Sequence, residues 1–334
     1  MALVSLGDMA QSFMLRRQNA ALKSDLQTLS TELATGRVAD TAKQTRGDLA
    51  PLSAIDATLS RLRAYGSATA ESALFTQGMQ TVLASVEQLA SDFGPVLLQS
   101  SSPGNPGVVA NLGTEARQKF ETVVSLLNTR MGDRTLFAGQ ATDSAALADP
   151  ETILSALDTA ISGATSALDV QTAISDWFDD PGGYAAIAYL GGNALAPLPI
   201  AQGEAAHIGV TAMDPAIRET LKGLAMAAML DRGALAAAPA ARADLARRAG
   251  DSLMASQTDR AGMAAGLGVV EARIEAASTR NTAESSGLEI ARLGIVSVDP
   301  YETATKLEAT QTRLETLYTI TARLSRLSLM DFLR

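Results

Sequence analysis

The chain has 334 residues, enough for two or three domains at roughly 100 to 200 residues each. Hydrophobic residues make up 47% of it and aromatics only 4%, so Ala and Leu carry the apolar content and favour close helix packing over an aromatic-rich sandwich. The absence of Cys excludes disulfides, thiolate zinc sites and cysteine nucleophiles, and a single His, His207, removes most triads and metal sets.

Charge is placed unevenly. No Lys or Arg occurs from Thr135 through Ile217, where Asp143, Asp149, Glu151, Asp158, Asp169, Asp176, Asp179, Asp180, Glu204 and Asp214 contribute minus ten. The net charge of the chain is minus nine, so the rest sums to plus one: a balanced frame around an acidic insert. Phosphate binding needs a basic stripe, so nucleic acid is not an expected partner.

The opening "MALVSLGDMAQSFMLRR" has no basic leader before an apolar stretch, and Asp8 interrupts it, so it does not read as a cleaved signal peptide. The uncharged stretch from Pro181 to Gly203 is broken by Gly182, Gly183, Gly191, Gly192, Pro197 and Pro199 and does not read as a membrane span. The expectation is a cytoplasmic protein, or one exported uncleaved.

In chain order, Leu15, Leu22, Leu26, Leu29 and Leu33 form a heptad seam with Asn19 at one seam position, and Gly36 reads as the helix stop. A second helix covers Leu52 to Phe93. Leu52, Ile55, Leu59 and Leu62 alternate three and four, and Phe75, Met79, Val82, Val86, Leu89 and Phe93 resume in a shifted phase, with the slip near Gly66. The turn-rich "GPVLLQSSSPGNPG", Gly94 to Gly107, is expected to break the path. Helix resumes from about Asn111 to Met131, with Ala116, Phe120, Val123 and Leu127 on one face, and "GDRTLFAGQATDS" reads as an exit into irregular or extended chain.

The acidic insert opens with a helical stretch starting at Asp149-Pro150. Between Pro181 and Ala212, "YAAIAYL", "APLPIA" and "AHIGVTA" read as short strands. His207 lacks a second His or a Cys, so a metal role is disfavoured. Asp176, Asp179 and Asp180 lack the alternation of a calcium loop and read as a solvated turn. "GGYAAIAYLGG" lacks a preceding strand and a basic residue, which makes it a turn pair and not a nucleotide loop. Asp214-Pro215 restarts helix, with Met226 and Met229 as core fillers.

From Asp259 to Ile295 the residues Met263, Leu267, Val270, Ile274, Ala277, Asn281, Glu284, Leu288, Ala291 and Ile295 alternate four and three over a helix on the order of 50 Å long. Asn281 and Glu284 place polar groups on that seam, a device that specifies a partner in coiled coils. The last helix has Asp299 as N-cap, Pro300 at its first position and Glu302 as the acidic half of a capping box. Its seam is Leu307, Leu314, Leu317 and Leu324, with Thr310 and Thr321 in the gaps and Ile320 and Leu327 on the flank. That stripe is wider than one partner helix needs, although periodicity alone favours an intramolecular core, since most amphipathic helices pack within their own domain.

The expected fold is mainly α with a small α+β insert: terminal heptad helices form an antiparallel coiled coil, or helical rod, and the insert is a compact outer domain. The expected boundaries are a terminal helix at 1–48, a first rod segment at 49–134, the acidic domain at 135–217, a returning rod segment at 218–298 and a terminal helix at 299–334.

These residues carry a family resemblance. A terminal pair of heptad helices flanking a replaceable middle resembles the flagellin superfamily, and in particular its hook–filament junction members. "LQTLSTELATGRVAD" is similar to a family segment in which a Leu/Ser-rich helix ends at a Gly and a basic residue, here Gly36 and Arg37. "GDRTLFAGQATDSAAL" resembles the "LFAG" signature at the transition from rod to outer domain, on Leu136, Phe137, Ala138 and Gly139. "VDPYETATKLEATQTRLETLYTITARLSRLSLMDFL" resembles the C-terminal helix of the family. "RVADTAKQTRGDLAPLSAI" stands where filament flagellins carry a different segment.

The resemblance implies a non-enzymatic structural subunit of the bacterial flagellum that joins hook to filament, with a filament flagellin or a stand-alone coiled-coil binding protein as alternatives. It implies self-assembly through Leu15, Leu22, Leu26, Leu29, Leu33, Leu307, Leu314, Leu317, Ile320, Leu324 and Leu327. Partners would be copies of itself, a neighbouring hook-associated protein and flagellin, with an export chaperone on the C-terminal helix. It further implies an extracellular, flagellar location reached by type III export without a cleaved signal peptide, and no cofactor.

Overall fold

A computed structural model describes residues 6–100 and 105–332, with side chains over 9–99 and 105–324. It is 73% helical, as a mainly α chain should be. The helices are α1 (Leu6–Thr35), α2 (Thr41–Gln44), α3 (Ala50–Ser100), α4 (Pro106–Leu127), α5 (Pro150–Ala160), α6 (Ala167–Asp179), α7 (Pro215–Ala228), α8 (Pro239–Ala255), α9 (Gln257–Val296) and α10 (Pro300–Phe332). Two antiparallel hairpins pair β1 (Arg130–Met131) with β2 (Arg134–Thr135), and β3 (Leu198–Ala201) with β4 (Glu204–Ala206).

The chain divides into two compact units, one of residues 1–62 and 283–334 and the other of residues 63–282; α3 and α9 contribute residues to both. Below they are the terminal unit and the central unit.

Helix starts follow local chemistry. At the three Asp-Pro pairs that open helices the carboxylate accepts the N–H two residues on: Asp149 from Glu151 (2.9 Å), Asp214 from Ala216 (3.0 Å) and Asp299 from Tyr301 (2.8 Å). Ser166 and Asp169 form a reciprocal capping box at α6.

The central unit is built on α7, whose residues from Thr220 to Ala228 are all buried; it packs against α4, α6 and α8. The face of α4 made by Ala116, Phe120, Val123 and Leu127 is fully buried against this core, as its spacing requires. Met226 and Met229 fill the same interior.

Several expectations are corrected here. Helix α3 does not break at Gly94 but continues through Pro95 to Ser100. Burial of Phe93 and Leu97 offsets the roughly 3 kcal/mol that an internal proline costs. A side chain at Gly250 of α8 would meet the Gly94 carbonyl oxygen at 2.9 Å, so a bare backbone is what lets the two helices approach. Helix α4 ends at Leu127, not Met131, because the Asn128 side chain takes over the pairing. Its amide donates to the Leu147 carbonyl (3.0 Å) and its oxygen accepts the Leu147 N–H (2.8 Å). The phase change in α3 falls at the buried Thr69, Ser72 and Thr76 and not at Gly66. Thr69 and Thr76 return their hydroxyls to the carbonyls of Gly66 and Ser72, which lets polar residues sit inside.

Of the three strands expected in the insert, "YAAIAYL" forms a π-helical turn at Tyr184–Ala188, and Tyr189 makes an isolated bridge with Leu147. Tyr184 is stacked on Phe178 with ring centroids 5.0 Å apart, and its hydroxyl donates to the Ala212 carbonyl (2.7 Å); this buried anchoring overrides strand propensity. "AHIGVTA" supplies only the last residue of β4, so His207 lies just past the strand, exposed.

The acidic insert is less solvated than its charge implies, because cations from later in the chain neutralise it. Asp179 pairs with Arg218 (2.6 Å), Glu151 with Arg232 (2.9 Å), Asp158 with the same Arg232, and Glu204 with Arg280. Asp176 and Asp179 belong to the end of α6 and not to a separate solvated turn, and Asp180, which caps that helix, accepts the Gly182 N–H (2.8 Å). On α9, Asn281 is buried and its amide donates to the Ile200 carbonyl (2.8 Å), so its partner is the β3–β4 hairpin and not a second helix. Glu284 and Ala291 are exposed; the covered stripe runs on through Ser285, Leu288, Arg292 and Ile295, as the drift of a 3.6-residue period allows.

Candidate assembly interface

The terminal helices α1 and α10 pack together in the terminal unit. They run antiparallel: Gly36 at the end of α1 accepts from Val298 before α10 (3.2 Å), and Lys23 lies 6.0 Å from the centre of the Tyr318 ring further along. Gly36 stops α1 with φ +68°, its N–H donating to the Glu32 carbonyl (2.8 Å). Arg37 then bridges Ser297, Val38 donates to the Val296 carbonyl (2.9 Å), and the Glu32 carboxylate accepts the Ala39 N–H (2.8 Å). The similar turn at Gly36 and Arg37 is thus the clasp joining the two chain ends.

On α10, Asp299 accepts N–H groups from Tyr301 and Glu302. The Glu302 carboxylate pairs with Lys306 (2.7 Å) instead of turning back to complete a capping box, and this contact raises the Lys306 pKa.

The inward line of α10 is Thr303, Leu307, Thr310, Leu314, Leu317 and Leu324, with all other described side chains except Ala304 exposed. On α1 the line is Ser12, Leu15, Asn19, Leu22, Leu26 and Leu29. Two helices alone cover these residues incompletely. Leu317 is 8% exposed, but Leu15, Leu22, Leu26, Leu29, Leu307, Leu314 and Leu324 are only half-buried, while Leu33 and Ile320 are exposed. The side chain of Leu327 lies outside the described residues. Asn19 and Lys23 hold the Tyr318 phenol below its ordinary pKa, a polar crossing beside the apolar seam.

Further apolar surface lies off the seam, where the heptad reading did not look. Met9, Phe13 and Met14 are 60%, 67% and 65% exposed, and Tyr318 is exposed too. Met9 and Phe13 stand one turn apart on one face, a spacing that marks a second stripe.

Leu136, Phe137, Ala138 and Gly139 lie in the central unit, not at this interface. The first three are buried, and their carbonyls and amides tie three segments: Phe137 accepts from Ala212 (3.0 Å), Ala138 from Gly192 (2.9 Å), and Leu136 donates to Thr129 (3.1 Å). Gly139 has φ +59°, and a Cβ there would meet the Asn193 carbonyl oxygen at 2.2 Å, so only glycine fits. Among the described residues, no group of three or more His, Cys, Asp or Glu is placed to hold a metal ion, and no helix is long and apolar enough to cross a membrane.

Comparison with curated proteins finds no similar sequence. Among solved structures, one described as "Structure of putative flagellar hook-associated protein from Vibrio parahaemolyticus" is similar at 14% identity, over 72% of this chain and 94% of that one, with a TM-score of 0.46. The family model "Bacterial flagellin C-terminal helical region" matches residues 254–333, the end of α8 with α9 and α10. Over its last two long helices the chain is thus similar to the C-terminal helical region of the bacterial flagellins.

Proposed function

We propose that the chain is a structural subunit of the bacterial flagellum that assembles through α1 and α10, and that its place is the hook–filament junction. The observation that carries this reading is the coincidence of two things on α10. The flagellin C-terminal match covers it, and three of its four seam leucines, Leu307, Leu314 and Leu324, stay half-buried against α1. A stripe wider than its partner is half of an interface, and many modest copies of it supply strength by multiplicity.

In this reading Leu15, Leu22, Leu26, Leu29, Leu33, Leu307, Leu314, Leu317, Ile320, Leu324 and Leu327 condense with other copies and with a neighbouring hook-associated protein and flagellin. Export would be of type III, without a cleaved leader, with a chaperone covering α10 beforehand. The role assigned is structural, with no catalytic step and no cofactor.

Deleting the gene and examining cells by electron microscopy, with an assay of the medium for flagellin, tests the placement. Hooks without filaments and flagellin shed into the medium are the expected result. Bare hooks with no shed flagellin would instead make the chain the filament subunit, a second reading favoured by the flagellin description of the matching family. Normal filaments would overturn both and leave a stand-alone coiled-coil binder.

A further inference from the structure

The β3–β4 hairpin touches the main core of the central unit through Leu198, at its first residue, and otherwise packs on a separate small cluster. Its Ile200 and Ala206 are fully buried, yet they join only a small cluster with Ile274 and Ala277 of α9, edged by Ala73, Ala201 and Val270. The stripe beneath it, Val270, Ile274, Ala277 and Asn281, steps by four, three and four, a helix-pairing pattern covered here by seven strand residues.

What fastens the hairpin is slight. Asn281 donates to the Ile200 carbonyl (2.8 Å), and Glu204 pairs with Arg280 and lies 3.9 Å from Arg273. Both arginine side chains are more than half exposed, at 56% and 51%, so these pairs are weak and screened by salt. The ladder is short and has a register shift between Pro199 and Ala201. An isolated two-stranded hairpin is marginal in water, so these contacts decide whether it stays down.

We propose that the β3–β4 hairpin is a strap that opens from α9 independently of the rest of the central unit and bares Ile274 and Ala277 while the main core stays folded. Opening gives up the burial of two isoleucines and two alanines, the Leu198 contact, the Asn281 hydrogen bond and salt-sensitive ion pairs. The main core keeps its own phenylalanines and the whole of α7.

The chain has no cysteine, so one introduced thiol reports a single place. Ala277→Cys under the strap is compared with Ala225→Cys in the main core, both alanines being fully buried. The expected result is that the thiol at 277 is modified about tenfold or more faster, at a rate independent of low urea, as local opening requires. Adding Glu204→Gln should raise that rate about two- to fivefold, the size of an exposed ion pair. Hydrogen exchange on the unaltered chain guards against a cysteine that disturbs folding: amides of Leu198–Ala206 should exchange without urea dependence, while those of Leu221–Leu224 follow global unfolding. Hairpin amides and a thiol at 277 that open only with the urea dependence of the main core would overturn the strap, as would a Glu204→Gln chain with unchanged rates.

Discussion

The two units use the same residue types to opposite effect. In the central unit Phe75, Phe93, Phe120, Phe137, Phe178 and Tyr184 are all buried, and α7 is enclosed by neighbours. In the terminal unit the buried apolar side chains among the described residues are Leu59, Leu62, Val296 and Leu317. The difference is one of layers and not of patterning. The heptads of α1 and α10 are regular, but a pair of helices covers only a seam, and full burial needs further elements. A unit with regular leucines and almost no closed interior leaves apolar surface for the assembly proposed above.

Substitutions sharpen this contrast in order of size. Phe137→Ala in the central unit should cost about 3–5 kcal/mol in chemical denaturation, the usual price of a large core truncation; a loss below about 1 kcal/mol would mean that core is loose. Gly139→Ala should cost about 1–3 kcal/mol, since it adds a backbone clash to a left-handed conformation. Gly36→Ala, with the same backbone sign but open space around it, should cost about 1–2 kcal/mol from strain alone. Equal losses at the two glycines would contradict the close packing described around Gly139. Asp299→Ala should lower the helicity of α10 by the worth of one N-cap, about 1 kcal/mol, and leave the central unit unchanged by near-UV dichroism.

The smallest effect is on acidification. The Thr114 hydroxyl and then Arg117 lower the Asp231 pKa, and Arg248 and Arg247 lower that of Asp244. Both folded values lie below the unfolded one, so the unfolded chain binds more protons in between. The stabilisation is present above about pH 5 and is lost as pH falls through the folded values. Both groups lie in the central unit, so an acid titration followed by tyrosine and tryptophan signals should show it softening below about pH 4.

Much of this was legible in the sequence because it is local. The Asp-Pro caps at Asp149, Asp214 and Asp299, the stop at Gly36 and the buried face of α4 each depend on neighbours a few residues away. The burial of Leu136, Phe137 and Ala138 has a marker in the apolar run itself, but the reason for Gly139 lies in the Asn193 carbonyl 54 positions on. Tertiary context decided the rest. Pro95 stays helical because Phe93 and Leu97 are buried; α8 was not anticipated, since its apolar residues are mostly alanines and its surface is arginine-rich. The acidic block looked solvated because its partners, Arg218, Arg232 and Arg280, fall beyond its end in sequence. At the interface the inward seams were readable by periodicity, and the exposed Met9, Phe13 and Met14 were missed because they break the heptad.

The most direct test of the central claim is Leu317→Asp, expressed in cells lacking the native gene, with flagella scored by electron microscopy and the purified chain followed by near-UV dichroism. The account predicts a chain whose central unit keeps its native aromatic signal but which forms no junction and carries no filaments. Normal filaments, or equal loss of assembly and of the folded central unit, would contradict the claim that α1 and α10 are the assembly interface.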